Sequence, residues 1–268
     1  MARPRSVVII GGVAAGMKSA SRLRRLDPAV RITVVEKGPV VSYAACGMPY
    51  YVEGLVEKID HLTETPAGTP RSPAFFKAVK DIDVRTHTLA ERIDRQNKGV
   101  HVRDLTRDRT ETLAYDKLVI ATGAQPIVPP ISGVDLKHVY RLYRLEEAEQ
   151  LHQALTSGQI KRAVIVGGGL IGMETAEALV ARGVRVTMAE MADHVLPALL
   201  DFESAVFLTK HLQAKGVAVL TGCKVTAIEG NAEGRVAAVR AGRERIETDM
   251  VLLAIGVRPN VDLATRAG

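Results

Sequence analysis

One pattern is written twice in this chain. Ser6-Val7-Val8-Ile9-Ile10-Gly11-Gly12-Val13-Ala14-Ala15-Gly16-Met17 returns as Arg162-Ala163-Val164-Ile165-Val166-Gly167-Gly168-Gly169-Leu170-Ile171-Gly172-Met173. Each copy is an apolar, β-branched run, then a glycine turn, then a helical pattern. The first helix is predicted to run to about Leu26 and to stop before Asp27-Pro28, because the residue ahead of a proline is pushed out of helical geometry. The second is predicted to reach Arg182 and to end at Gly183. A strand follows each helix, over residues 31–36 and 184–190. Each copy is therefore a βαβ unit.

The two halves also close alike. Leu118-Val119-Ile120-Ala121-Thr122-Gly123-Ala124-Gln125-Pro126 corresponds to Leu252-Leu253-Ala254-Ile255-Gly256-Val257-Arg258-Pro259-Asn260. A buried strand that ends in Gly with Pro nearby breaks the chain at the carboxyl edge of the sheet, where α/β sheets bind ligands. Between these marks a helix is predicted over 73–79. Strands over 82–87, 100–105 and 110–114 are predicted to form an antiparallel meander. Residues 125–134 read as a linker rich in Pro and Gly, and a helix near 145–155 leads into the second unit. There a helix over about 202–215 precedes strands at 217–220, 224–229, 235–240 and 249–254.

The expected fold class is α/β, with two Rossmann-like three-layer dinucleotide-binding domains, one inserted into the other, and antiparallel β-meanders. A length of 268 residues accommodates two domains, at roughly 100–200 residues each. The expected boundaries are 1–150 for the first domain, 151–257 for the insertion and 258–268 for the return.

Composition excludes several function classes. No apolar run approaches the roughly 20 residues of a membrane helix. The apolar start is too short for a signal peptide and runs straight into a glycine turn, so it reads as a strand and the expected location is cytoplasmic. The only cysteines, Cys46 and Cys223, make no disulfide framework and have no metal-site spacing. A net charge of +6 raises nucleic acid as a partner, but there is no Lys/Arg run, and aromatics at 4% leave few base-stacking platforms. A positive field also suits phosphate-bearing ligands. Neither nucleic acid nor membrane is expected as a partner.

The glycine turns locate two ligand sites. Such a turn brings backbone N–H groups up to a pyrophosphate at a helix N-terminus, and an acid ending the next strand binds ribose hydroxyls. In the second unit Gly167, Gly169 and Gly172 are in full register, with Gly168, Leu170 and Ile171 between them, and Glu190 is the acid. Glu190 would repel a 2′-phosphate, which favours NADH over NADPH. The first unit has Gly11, Gly12 and Gly16, with Val13 where a middle glycine is expected and Ala14 and Ala15 beyond it. Glu36 and the neighbouring Lys37, with the Ala121-Thr122-Gly123 strand end, complete that site. Gly256 takes the corresponding place in the second.

Cys46 follows Glu36 by ten residues, in Ser42-Tyr43-Ala44-Ala45-Cys46-Gly47-Met48-Pro49-Tyr50. Free cysteine is most often a buried small hydrophobe. Here Pro49 follows almost at once, and Pro is favoured in a first helical turn. Cys46 is therefore expected at a helix N-terminus, where the dipole stabilises a thiolate. Cys223 sits in a turn-and-strand context and is expected to be inert.

Two dinucleotide units, the second inserted after an Ala-Thr-Gly strand end, resemble the pyridine nucleotide-disulfide oxidoreductases over the whole chain. The resemblance implies FAD on the first unit and NAD(P)H on the second. No second cysteine lies near Cys46, so it narrows to the single-cysteine branch of coenzyme A-disulfide reductases, NADH-dependent persulfide or polysulfide reductases, and NADH oxidases or peroxidases. The Ser-Tyr-x-x-Cys-Gly-x-Pro-Tyr run is similar to the motif of the first two. Oxidases and peroxidases of the family place a His in the first glycine turn, where it can stabilise a sulfenate. Ala14 stands there in this chain, which favours thiol exchange.

The implied reaction runs from NADH through flavin to Cys46, and on to coenzyme A disulfide, a persulfide or a polysulfide. The alternatives are an oxidase or peroxidase using a Cys46 sulfenic acid, and a non-catalytic nucleotide-binding fragment. Lys18, Arg22 and Arg25 share one face of the first helix. They read either as a solvated basic face or as a strip for coenzyme A phosphates. The resemblance adds Ser42 to that strip and has Asn where this chain has Ala45. Glu174 reads either as facing the flavin–nicotinamide contact or as solvated. In the family a further FAD-contacting strand and a dimerisation domain follow the last segment. The 268 residues contain neither, so this chain is expected to bind FAD weakly and turn over poorly, and the full-length protein to be an active homodimer.

Overall fold

The computed structural model describes residues 5–268. Its first strand, β1 (Ser6–Ile10), is apolar on both sides, and Val7, Val8, Ile9 and Ile10 are all buried. Side chains alternate along a strand, so both faces of the sheet around it must be covered. α1 (Ala15–Leu26) carries the chain back to β2 (Arg31–Val35), which pairs parallel with β1 from Ser6↔Arg31 to Ile10↔Val35. A 3-10 turn over Ala45–Gly47 opens the short helix α2 (Met48–Glu53). Then come α3 (Pro73–Lys80), β3 (Asp83–Arg85), β4 (Thr88–Asp94), β5 (Gly99–Asp104), β6 (Arg109–Ala114) and β7 (Lys117–Ile120).

The chain divides into two compact units. The first contains the residues up to Ala44, Asp60–Ala124 and Pro259–Gly268. Its parallel sheet has the order β3-β2-β1-β7. Val7, Ile9, Ile32 and Val34 on one face pack with Met17 and Ala20 of α1 and Phe76 of α3. Val8, Ile10 and Val35 on the other face pack with Ile93 of β4, Val100 and Val102 of β5, and Leu263. Burying such a side chain stabilises by about 1.5–3 kcal/mol, and the two clusters hold helices, sheet and meander together as three layers.

The meander is β4-β5-β6, which corrects the expected one. The segment at 82–87 supplies β3, an edge of the parallel sheet in register Thr33↔Asp83 to Val35↔Arg85. The strand absent from the expected meander is β4, whose alternation is broken by a bulge between Ala90 and Arg92.

The second unit contains Ala45–Ile59 and Gln125–Arg258. The remaining elements are β8 (Ala124–Pro126), β9 (Val139–Tyr140), α4 (Leu145–Thr156), β10 (Arg162–Val166), α5 (Leu170–Ala181), β11 (Arg185–Ala189), α6 (Phe202–Ala214), β12 (Val217–Leu220), β13 (Val225–Gly230), β14 (Val236–Ala241), β15 (Glu244–Glu247), β16 (Met250–Leu253), β17 (Val257–Pro259) and α7 (Asp262–Thr265). Its parallel sheet has the order β12-β11-β10-β16-β9, and β13-β14-β15 form an antiparallel sheet. Val164, Val166, Val251 and Leu253 pack with Val225, Ile228, Val236 and Val239 of that antiparallel sheet. α5 packs on β10 and β11, and α6 on β12.

These units cut the chain differently from the boundaries read from sequence. Residues 125–150 go with the second unit because β9 pairs parallel with β16, Val139↔Val251 and Tyr140↔Leu252. Residues 45–59 go with it because α2 packs on α4 and α5. Among the described residues no helix is long and apolar enough to cross a membrane, and no group of three His, Cys, Asp or Glu could hold a metal ion.

Candidate active site

Both glycine turns are built on the same plan. Gly11 has φ +110°, and a Cβ there would run into the Ala121 carbonyl. Gly167 has φ +106°, and its Cβ would lie 2.5 Å from the Ala254 oxygen. Only glycine fits either place. A Cβ at Gly16 would run into the Gly11 carbonyl oxygen and one at Gly172 into that of Gly167, so each helix sits close up against its turn.

The acids close these turns. Glu36 accepts from the Gly12 N–H at 2.7 Å and the Gly38 N–H at 2.7 Å. Glu190 accepts from the Gly168 N–H at 2.6 Å and the Ala192 N–H at 2.8 Å. A carboxylate offers about four acceptor positions, so each keeps positions for ribose hydroxyls. The parallel continues further along the chain. Ser42 N–H donates to the Gly12 carbonyl at 2.8 Å and Leu196 N–H to the Gly168 carbonyl at 2.9 Å. Ser42 and Leu196 share a left-handed backbone, at φ +54° and +51°. Sequence reading missed this role of Leu196, Gly38 and Ala192, although Val41 and Val195, each five residues beyond its acid and fully buried, give a signal.

The helix ends fit an anion. α1 starts from Ala14 and α5 from Gly169, with no side-chain cap and no acidic residue in either first turn. By contrast α3 is capped by Ser72 and α6 by Asp201, and in the first turn of α4 the Glu147 carboxylate accepts from Arg144 N–H at 3.1 Å. The first-turn N–H groups of α1 and α5 are therefore available to a phosphate. A Cβ at Gly169 would meet nothing within 4 Å, so the surface is open where a ligand backbone would approach. Ala14, Ala15 and Leu170 are exposed, and Val13 and Ile171 partly so. This arrangement fits a dinucleotide in each unit.

Other expected residues fall as follows. Lys37 is exposed beside Glu36, Glu174 is exposed on α5, and Gly256 is exposed at φ +100° with its carbonyl accepting from Ile127 N–H at 3.0 Å. The Ala121-Thr122-Gly123 turn is held by Asn260, which the sequence reading did not single out. Asn260 Nδ2 donates to the Thr122 carbonyl at 2.9 Å, Asn260 N–H to the Gly123 carbonyl at 2.9 Å, and Thr122 Oγ1 to the Asn260 carbonyl at 2.7 Å.

Lys18, Arg22 and Arg25 are exposed on α1, as their spacing predicts. Lys80 joins them from α3, where it donates to Ser21 Oγ at 2.9 Å. Burial first, then the charges of Arg25 and Lys18, hold the Lys80 ammonium below its ordinary pKa. Cations crowded to that degree suit a polyanionic ligand. Arg24, between them in sequence, is committed elsewhere, to the carbonyls of Pro28, Lys80 and Asp81.

Cys46 is exposed, so it is not a buried hydrophobe. It lies in the 3-10 turn Ala45–Gly47, one residue ahead of Gly47, the N-cap of α2, with Pro49 in the first turn. Met48, Pro49, Tyr51 and Val52 are buried beneath it. Cys46 belongs to the second unit and Ser42 to the first. Cys223 is half-buried against the second unit's core. Burial, and then the charge of Glu244, push its thiol pKa up.

A family model described as pyridine nucleotide-disulphide oxidoreductase matches residues 5–268. The chain belongs to that family. Its similarity to individual members is substantial. It is 38% identical over 266 residues to the CoA-dependent NAD(P)H sulfur oxidoreductase of Pyrococcus abyssi, covering 98% of this chain and 56% of that protein. It is 34% identical over 261 residues to the NADH oxidase of Methanocaldococcus jannaschii, covering 97% and 56%. The solved NAD-dependent persulfide reductase from A. fulgidus matches with a TM-score of 0.93 at 45% identity, covering 98% of this chain and 48% of that one. The chain thus spans about half the length of the curated relatives it matches.

Proposed function

We propose that this oxidoreductase takes electrons from NADH by way of FAD to Cys46, and passes them to a disulfide or sulfane-sulfur acceptor: coenzyme A disulfide, a persulfide or a polysulfide. The observation that carries the reading is the exposed Cys46 thiol in the 3-10 turn that leads into α2, a helix packed against α5, which opens at the second glycine turn. In this reading the first unit holds FAD through Gly11, Gly12, Val13, Ala14, Ala15, Gly16, Glu36, Lys37, Ala121, Thr122 and Gly123. The second holds NADH through Gly167, Gly168, Gly169, Leu170, Ile171, Gly172, Glu190 and Gly256, with Glu174 toward the nicotinamide end. Glu190 supports NADH over NADPH, because its negative charge would face a 2′-phosphate. Bound flavin and nicotinamide would supply two electrons at a time.

The chemistry at Cys46 is thiol exchange. The thiolate attacks the acceptor, a bond forms between Cys46 Sγ and one substrate sulfur, the substrate S–S bond breaks and one thiolate leaves. Two electrons then cleave the Cys46 mixed disulfide, restoring the Cys46 thiolate and releasing the second thiolate, which takes a proton from water. With a persulfide or polysulfide acceptor the second product is hydrosulfide. Lys18, Arg22, Arg25 and Lys80, with Ser42, provide a cationic strip on which an anionic substrate docks. Names of relatives bear on the acceptor, since the P. abyssi protein is called a CoA-dependent sulfur oxidoreductase and the A. fulgidus one a persulfide reductase. Ala14 offers no titratable group, which supports thiol exchange over peroxide chemistry. The full-length protein works in the cytoplasm as a homodimer.

The test is NADH consumption by the full-length protein with coenzyme A disulfide, polysulfide and oxygen in separate reactions. Fast turnover with a sulfur acceptor, lost in Cys46→Ser, is expected. Turnover with oxygen alone, or full sulfur-acceptor activity in Cys46→Ser, would overturn the reading.

A further inference from the structure

α2 follows directly on Cys46, and one of its contacts is more specific than apolar burial. The Tyr51 ring lies 4.5 Å from the His152 ring of α4, at 21° to it. His152 Nδ1 is also 2.8 Å from the Tyr51 carbonyl oxygen. A carbonyl only accepts, so Nδ1 carries the proton and donates. A single α4 side chain therefore holds both the backbone and the ring of one α2 residue. Tyr51 is 6% exposed and His152 is half-buried, so the contact is partly shielded from water. At the far end of α2, Arg182, which ends α5, stands beside Gly54 and donates to Thr156 Oγ1 of α4 at 2.8 Å. Three helices are tied together in this way, and one of them, α5, begins at the second glycine turn.

We infer that His152 is a positioning residue for Cys46: acting through Tyr51, it fixes the segment that bears the thiol onto the nucleotide-binding unit. The inference rests on the proposed role of Cys46, which gives its placement a kinetic consequence. A reacting atom displaced by about 1 Å loses rate by up to about 100-fold. The α2 segment is only six residues long, too short to hold its own geometry without tertiary contacts.

Two variants of the full-length protein separate the parts of the contact. His152→Phe keeps a ring against Tyr51 and removes the donor. His152→Asn keeps a donor and removes the ring. Amide hydrogen exchange read by mass spectrometry is combined with steady-state kinetics. His152→Phe is expected to speed exchange over residues 46–54 roughly tenfold, the effect of one lost hydrogen bond, while β10 and β11 keep their protection. It is also expected to lower kcat with the disulfide acceptor roughly tenfold, with KM for NADH unchanged. His152→Asn is expected to recover part of both losses. Unchanged exchange over 46–54, or faster exchange with unchanged kcat, overturns the inference. So does loss of protection in β10 and β11 with a raised KM for NADH, which marks general damage to the unit. The exchange measurement does not depend on thiol chemistry, and Cys46→Ser leaves His152 in place, so the two readings fail separately.

Discussion

Replacing Glu190 by Gln exchanges one oxygen for an amide nitrogen and tests the second nucleotide site on two independent readouts. The Glu190 carboxylate accepts from Gly168 N–H at 2.6 Å and from Ala192 N–H at 2.8 Å. Gln has one acceptor oxygen, so its amide nitrogen must face a backbone donor. One hydrogen bond to a charged acceptor is lost, a loss of about 2–3 kcal/mol. For a chain of this size that lowers the melting temperature by roughly 4–12 °C. The second readout is charge. A carboxylate about 5 Å from a unit of phosphate charge repels it by about 3 kcal/mol at an effective dielectric constant near 20. Removing that repulsion should narrow the preference for NADH over NADPH by roughly 10- to 100-fold. Thermal melts by circular dichroism and titrations followed by nicotinamide fluorescence report the two effects. A melt within about 1 °C of the parent would refute the structural role. An unchanged cofactor preference would refute the ribose assignment.

Three further outcomes are expected. Asn260→Ala removes the side-chain donor to the Thr122 carbonyl and should weaken FAD retention roughly tenfold, read by flavin absorbance after gel filtration; full retention contradicts the role. Arg25→Glu should raise KM for coenzyme A disulfide by roughly tenfold or more and leave KM for an uncharged disulfide unchanged, whereas an equal rise for both argues against a phosphate strip. Burial pushes the Asp249 carboxyl up, but hydrogen bonds from the Arg162 side chain and the Lys161 and Arg162 N–H groups outweigh it and hold its pKa below the ordinary value. A carboxyl depressed in the folded state adds stability above its unfolded pKa, and that stability is lost as pH falls through the folded pKa. The melting temperature should therefore drop with pH below about 4, and Asp249→Asn should flatten that slope; parallel slopes would contradict it.

The parts of this fold that were legible in the sequence are those fixed by local geometry. Gly11 and Gly167 announce the turns because no other residue fits them, and Glu36 and Glu190 stand at strand ends that periodicity locates. Cys46 at the start of a helix followed from Pro49 alone. The missed elements are those in which the local signal is weak. β4 loses its alternation at a bulge, and β15 reads Glu-Arg-Ile-Glu, an edge strand with little to bury. The attachment of α2 to the second unit could not be read, because it depends on Tyr51 meeting His152, 101 residues away in sequence. Lys80 joined the cationic strip by the same kind of long-range packing, 59 residues from Ser21. The family followed from the paired turns and the Ala-Thr-Gly strand end, which are local and so survived the reading of a single sequence.

The central claim is that Cys46 receives substrate sulfur and yields it when electrons arrive. Anaerobic peptide mass spectrometry of the full-length protein tests this directly. After exposure to coenzyme A disulfide without NADH, the Cys46 peptide is predicted to carry a coenzyme A adduct, and NADH is predicted to return it to the free thiol while Cys223 stays unmodified throughout. An adduct confined to Cys223, or one on Cys46 that persists in excess NADH, would contradict the account.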